Sequence, residues 1–333
     1  MRHLLSGCAS GALVLGAVTL GASAQAQDIT LRLGHVLAPT HQFHQGMELA
    51  AETLRESSGG RIDLQVFPSS QLGTERDMHV SIRTGGVDML LASPGGASIH
   101  LPELAVLDAP YLFDNDPHWE AVVYGEIGEE WEAEVYENSG IHIVGWFPRG
   151  TRHVITDGIA LNTIADIQNV PIRVADIPPY PQVFEAFGAT PTPVAFAEMY
   201  SALEAGVVDG ADIPLDTMLA QHLYEVADTV NLISWSFAAP GPILMSDSAY
   251  QQLSEEDRVL LEEALREGTE FIAEAFRTSQ EQVTADLEAH GMTFVTPTDL
   301  PAWREAAANA IPELAELWGG DVGLYERIRN VPH

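Results

Sequence analysis

The chain has 333 residues, with 48 acidic against 15 basic side chains and a formal charge of −33. A chain this long favours two lobes over one core, and an apolar fraction of 46% is ample to fill them. So acidic a surface repels phosphate backbones and anionic lipid, which excludes a nucleic-acid partner and requires that any bound anion sit in a locally positive cleft.

Residues 1–26 read as an export signal. Met1-Arg2-His3 is a short positive head, Leu4 to Leu20 is apolar and small, and Ala22-Ser23-Ala24 or Ala24-Gln25-Ala26 suits a signal peptidase. The mature protein is therefore expected in the periplasm. Cys8 is the only cysteine and lies in that segment, so the mature chain has no disulfide, thiolate nucleophile or cysteine-bound metal. No later run approaches the roughly 18 apolar residues of a spanning helix.

From Asp28 to Gly34 apolar and polar residues alternate, the pattern of a strand. After a loop from His35, a helix is predicted from about Phe43 to Ser57, stopped by Gly59-Gly60. Arg61 to Phe67 is a second strand, cut off by Pro68; Thr74 then caps a helix that runs to Thr84. Gly85-Gly86-Val87-Asp88 turns into a third strand through Leu91. Pro94 to Pro117 is rich in proline, glycine and aromatics. Helices near His118 to Val123 and Ile127 to Asn138 lead to a strand at Ile141 to Trp146 and a first crossing at Phe147 to Arg152.

The stretch from Asn169 to Pro214 repeats the earlier plan: strand, Pro-rich turn, helix, glycine turn, strand. Gly206-x-Val208-Asp209 echoes Gly85-x-Val87-Asp88, and each follows a strand ended by a proline, Pro178 or Pro68. Two copies of one βαβ plan imply two similar α/β lobes with a ligand cleft between the carboxyl ends of their strands. A helix near Asp216 to Val226 and a return crossing near Leu232 to Phe237 follow. Ser254-Glu255-Glu256-Asp257 then caps a helix of about 35 residues, roughly 50 Å at 1.5 Å per residue and long enough to span both lobes. A strand at Met292 to Pro297 and a helical tail from Pro301 close the chain. The lobes are expected over 27–149 plus 239–278 and 150–238 plus 279–333.

Arg173, inside the apolar Ile172-Arg173-Val174 strand, is the odd residue, because a buried guanidinium is costly unless an anion meets it. That anion is either a bound acid or one of the chain's own carboxylates. The Ile172 to Val174 triplet and the run PTPVAFAEMYSALEAGVVDGADIP from Pro191 to Pro214 resemble the DctP-type solute-binding receptors of TRAP (tripartite ATP-independent periplasmic) transporters. The resemblance extends weakly along nearly all of the mature chain. It implies a two-lobed periplasmic-binding-protein fold (type II-like) with hinge crossings and a long connecting helix, and a membrane permease partner driven by an ion gradient. It also implies that Arg173 grips an organic carboxylate by its fork, assisted by Arg152 of the Phe147 to Arg152 segment.

Other site positions carry over the same way. Phe196 falls where an aromatic ring packs on the ligand, and Glu75 and Arg76 where the first lobe reaches the cleft. Val36 and Ser93 fall where relatives place polar cleft residues. Ile213 replaces the family's asparagine, which makes that wall apolar. Asp212 is either a partner for an arginine or a ligand contact; Trp235 either closes over the ligand or fills the hinge; Tyr111, in a segment like the family's "PFLF", is open in the same way. The swaps at Val36 and Ile213, with Phe196 and Trp235, point to a small carboxylate or sulfonate with an apolar or cyclic body. The protein is expected to act as a monomer without cofactor. No Gly-x-Ser-x-Gly elbow or His-Glu-x-x-His helix appears, so no enzyme is expected. The rival reading is a periplasmic metal-binding protein using His35, His41 and His44.

Overall fold

The computed structural model describes residues 29–333; the export signal read over 1–26 lies outside the described residues. The chain begins β1 (Ile29–Gly34), α1 (Gln42–Ser57), β2 (Ile62–Phe67), α2 (Glu75–Ile82), β3 (Met89–Leu91) and α3 (Pro94–Ala97). It continues through α4 (Asp116–Val123), α5 (Glu126–Ser139) and β4 (Ile141–Phe147). The other half of the molecule opens with β5 (Arg152–Thr156), β6 (Pro171–Val174), α6 (Tyr180–Phe187) and β7 (Thr190–Pro193). There follow α7 (Met199–Glu204), β8 (Gly210–Pro214), α8 (Leu215–Ala220) and β9 (Thr229–Ser236). Last come β10 (Gly241–Ser246), α9 (Asp247–Tyr250), α10 (Glu255–Ala289), β11 (Thr293–Val295), α11 (Leu300–Leu314) and α12 (Val322–Arg329).

Two separate sheets result. The first has the order β2-β1-β3-β10-β4 and the second β11-β9-β5-β8-β6-β7. In the first, β1 runs parallel to β2 and β3, while β10 returns antiparallel between β3 and β4. In the second, β6 is parallel to β7 and β8, and β5 is antiparallel to β8 and β9. The mixed sheets follow from the crossings: each lobe takes back one strand that arrives from the other. This is a two-lobed α/β fold, and among the described residues no helix is long and apolar enough to cross a membrane.

Three elements differ from expectation for identifiable reasons. Thr190–Pro193, part of the Pro-rich turn of the sequence reading, is strand β7; two prolines fit there because it is an edge strand, where the missing N–H groups face no partner. The helix expected to Val226 stops at Ala220 and continues only as a short turn at Leu223–Glu225, entered through His222 in the left-handed region. The carboxyl tail, grouped with the second lobe on sequence, packs on both. Its α11 lies against α6, but Arg327 and Arg329 reach Glu130 and Asp114 of the first lobe at 2.8 Å each.

Helix α10 carries the link between lobes. Ser254 and Asp257 form the expected capping box at its start. Leu261, Leu265, Ile272 and Phe276 sit in the first lobe's core with Leu31, Leu33 and Met47; Val283 and Leu287 sit in the second lobe's core with Ile155 and Val230. Where α10 crosses α1, Gly46 faces Gly268, and a Cβ on Gly46 would lie 2.6 Å from the Gly268 carbonyl oxygen. A third core, containing Leu104, Trp119, Phe184, Trp235 and Trp303, runs through both lobes.

Candidate ligand cleft

Between the lobes lies a cavity of about 210 Å³. Its walls come from the carboxyl ends of β1, β3, β6 and β8 (Val36, Ser93, Arg173, Ile213), where open α/β sheets collect ligands. Phe43, Leu91, Phe147 and Phe196 supply apolar surface, and Glu75, Arg76, Arg149, Arg152, Asp176, Tyr180 and Thr217 supply polar groups.

Arg173 is 2% exposed. Its Nε and Nη2 donate to the Val194 carbonyl at 3.0 and 2.8 Å, which clamps that edge of the guanidinium, while Nη1 has no hydrogen bond among the described residues and the residue lines the cavity. Among the described residues no carboxylate bridges it. Burial, and then the neighbouring Arg152, push its pKa down to about 10. The guanidinium stays charged at neutral pH, and an anion would relieve what depresses it.

Arg152 stands differently. It reaches the cavity wall, but Nε and Nη2 grip Asp212 with contacts of 2.6 to 3.2 Å, and Nη2 also donates to the Asp212 carbonyl at 3.0 Å. The expected second ligand cation is thus already matched by a protein carboxylate, and only Nη1 remains for a ligand. Asp212 is fully buried and pairs with the arginine instead of facing the cavity. Trp235, also fully buried, donates its indole N–H to Asp212 Oδ1 at 2.8 Å. It is a support for the ion pair and not a lid.

Tyr111 lies away from the cavity. Its hydroxyl donates to the Ile233 carbonyl at 3.2 Å and Arg304 covers its ring at 4.4 Å, while burial raises its pKa to about 12. Ser93 caps α3 by accepting the Gly96 N–H, and both its N–H and its hydroxyl donate to Glu75 Oε1 at 2.6 Å. For Glu75, burial works against the charge. His79 at 3.7 Å, Ser93 and Arg149 outweigh it and hold the carboxyl down at about 2. Arg76 spans the mouth of the cleft, donating to the Asp176 carbonyl at 2.9 Å on the opposite lobe.

The histidine trio does not converge on a metal. His35 Nδ1 accepts from the Leu37 N–H, so its Nε2–H faces His44 Nδ1 at 3.3 Å. His41 Nδ1 caps α1 by accepting the Phe43 N–H, so its Nε2–H faces Asp216 Oδ2 at 2.7 Å across the lobes. Each ring's ligand lone pair is used locally, so the metal reading of these residues falls.

Sequence reasoning passed over Arg149, Tyr180 and Asp108. Arg149 Nη1 donates to Asp108 Oδ1 at 3.0 Å and to the Tyr180 hydroxyl at 3.1 Å. The available signal was Asp108, a lone acid in the apolar run Leu104 to Leu112, which needs a buried cation.

The family model described as "Bacterial extracellular solute-binding protein, family 7" (DctP) matches residues 33–317. A solute-binding protein of Roseobacter denitrificans is 31% identical over 301 residues, covering 89% of this chain and 90% of its own. The crystal structure of a TRAP periplasmic solute-binding protein from Roseobacter denitrificans with bound L-galactonate has a TM-score of 0.84 at 29% identity, covering 91% of this chain and 99% of that one. Another from Bordetella bronchispeptica, with density assigned to pantoate, has a TM-score of 0.85 at 26% identity, covering 92% and 100%. With two lobes, a cleft at the strand ends and a clamped, unpaired arginine in its wall, the chain belongs to the DctP family of extracytoplasmic solute-binding receptors of TRAP transporters, which bind small organic acids and are not enzymes.

Proposed function

We propose that this receptor captures a small monoanionic acid, a carboxylate or sulfonate with an apolar or cyclic body, and delivers it to an ion-driven membrane permease. The observation that carries the reading is how the arginines of the cavity wall are paired. Arg76, Arg149 and Arg152 each face a protein carboxylate, Asp176, Asp108 and Asp212. Arg173 alone among the arginines lining the cavity has none among the described residues. One arginine with no ion-pair partner of its own suits one acid group. The apolar side chains of Val36, Leu91, Phe147, Phe196 and Ile213 suit a ligand body that is not solvated all round. L-Galactonate and pantoate, found in similar receptors, are both monocarboxylates.

Charge-assisted hydrogen bonds are worth roughly 1.5–3 kcal/mol each, so the acid contact supplies a large part of the roughly 8 kcal/mol of micromolar binding. Small molecules co-purifying with the wild-type protein and with Arg173→Ala are to be compared by mass spectrometry. The expected result is an organic acid present in the first and lost from the second. Retention of the same acid by the variant, or thermal stabilisation by C4-dicarboxylates alone, would overturn the reading.

A further inference from the structure

The carboxyl tail meets the first lobe at a group of side chains that the cleft does not use. Asp114 ahead of α4, His118 in its first turn and His333 beyond α12 each bring one ligand-capable atom to within 4.8 Å of the others. Among the described residues no other trio of histidine and acid side chains does so. His118 is fully buried, Asp114 and His333 are exposed, and none of the three lines the cleft. Both rings have their N–H groups fixed by the backbone. His118 Nε2–H donates to the Ile328 carbonyl at 2.9 Å and His333 Nδ1–H to the Val331 carbonyl at 3.0 Å. The lone pairs therefore fall on His118 Nδ1 and His333 Nε2. Metal-bound histidines are held in this way, with the outer N–H on a carbonyl setting the tautomer and aiming the other nitrogen. His35 and His41 are arranged the other way round, their Nδ1 atoms accepting backbone N–H groups at 3.2 and 3.1 Å. His118 Nδ1 has only the Asp114 N–H, at a long 3.4 Å.

We propose that Asp114, His118 and His333 form a site for a first-row dication such as zinc, which fastens the carboxyl tail to the first lobe. Two imidazoles and one carboxylate suit zinc, nickel or cobalt, whereas calcium and magnesium take oxygen ligands. Arg329 already begins the same link, donating from Nη1 to Asp114 Oδ1 at 2.8 Å and to the Leu112 carbonyl at 3.0 Å. Asp114 Oδ2 makes no hydrogen bond among the described residues and is left for the ion. Two features keep the affinity moderate. The rings of His118 and His333 lie stacked, with centroids 4.2 Å apart and planes 6° apart, so their lone pairs lie in parallel planes and the exposed His333 ring must turn to share an ion. The Arg329 guanidinium also repels a dication bound to the same carboxylate. Binding of micromolar order follows, weaker than in a closed four-ligand zinc site.

The test titrates zinc into the full chain by calorimetry at pH 7.5, after chelator treatment and in excess magnesium to occupy surface carboxylates. One zinc per chain is expected, with a melting temperature raised by a few degrees at saturation. His333→Ala and Asp114→Asn are each expected to weaken zinc at least about tenfold and to remove that rise, while His44→Ala, outside the site, changes neither. Melting before zinc is added checks that each variant folds, and the His333→Ala arm stands by itself because that ring is exposed. No zinc binding in the wild type overturns the proposal. So does binding that His333→Ala leaves unchanged, or that is lost in His44→Ala instead. The acid reading at Arg173 stands or falls separately, since no cleft residue enters this test.

Discussion

Asp212 lies diagonally across the β5–β8 ladder from Arg152, and the two side chains close on each other at 2.6 to 3.2 Å with almost no exposure. The pair sits behind Arg173, whose charge Arg152 opposes and Asp212 supports. Removing the carboxylate leaves two buried guanidinium groups facing each other. Asp212→Asn is therefore expected to destabilise the fold by about 3–5 kcal/mol, the usual cost of breaking a buried pair from one side. Melting with and without ligand checks this; an unliganded melt unchanged from wild type contradicts it.

Gly95 of the first lobe packs closely against Pro178 of the second. A Cβ on Gly95 would overlap the Pro178 carbonyl oxygen, and no flexible side chain is there to move aside. Gly95→Ala should leave each lobe's own packing alone and hinder the closed state. Ligand affinity is expected to fall at least about tenfold, because contacts made only on closure are what drive the population toward it. Calorimetry together with small-angle scattering checks the prediction: wild-type affinity, or a liganded variant as compact as the liganded wild type, speaks against it.

Acid should weaken the fold in two stages. Burial first, and then His44 and His41, hold His35 down at about 3; burial, then His79 and Arg83, hold His100 at about 3, and burial alone holds His153 at about 4. In the unfolded chain these rings titrate near 6.5, so the unfolded state takes up protons first as pH falls. Their contribution is complete above about pH 6.5 and is lost toward pH 3–4. Glu75 adds a lower stage: its stabilisation is present above 4.5 and disappears as pH drops through about 2. Melting temperature against pH checks both. A flat profile from about pH 7 to about pH 4 rules out the first, and Glu75→Gln should flatten only the second.

Arg76 and Asp176 are each more than 60% exposed, so their bridge is screened and weak. As a latch between lobes and not a ligand grip, it should cost little when removed. Arg76→Gln and Asp176→Asn are each expected to lower affinity by less than about fivefold, and the double variant by no more than either alone. A hundredfold loss in Arg76→Gln with none in Asp176→Asn would make Arg76 a direct ligand contact.

Periodicity and punctuation made the lobes legible. Glycine turns before Val87-Asp88 and Val208-Asp209, the strand stop at Pro68 and the capping box at Ser254 all act through local backbone physics and appear where expected, whereas the strand expected to run on to Pro178 ends at Val174. Arg173 was legible for a related reason: a lone cation in a β-branched strand advertises a burial problem. What stayed hidden depends on pairing across distance. The sequence left Asp212 open as a partner for an arginine or a ligand contact, and nothing near Arg152 in the chain says that this residue, 60 positions on, holds it, or that Trp235 holds Asp212 in turn. Arg149 was hidden for the same cause, since its partners Asp108 and Tyr180 come from different lobes. His41 misled because a ring able to bind metal was serving as a helix cap, a use fixed only by the position of the Phe43 N–H.

Helix α10 gives its first half to one lobe's core and its second half to the other's, with the stretch between Phe276 and Val283 buried in neither. A hinge made only of crossing loops would let the halves swivel freely about several axes. One continuous rod removes most of those axes and leaves a bend or twist concentrated in about two turns of helix. The exposed outer surface of those turns should then report the state of the cleft, so a spectroscopic label there would sense a bound acid without touching it.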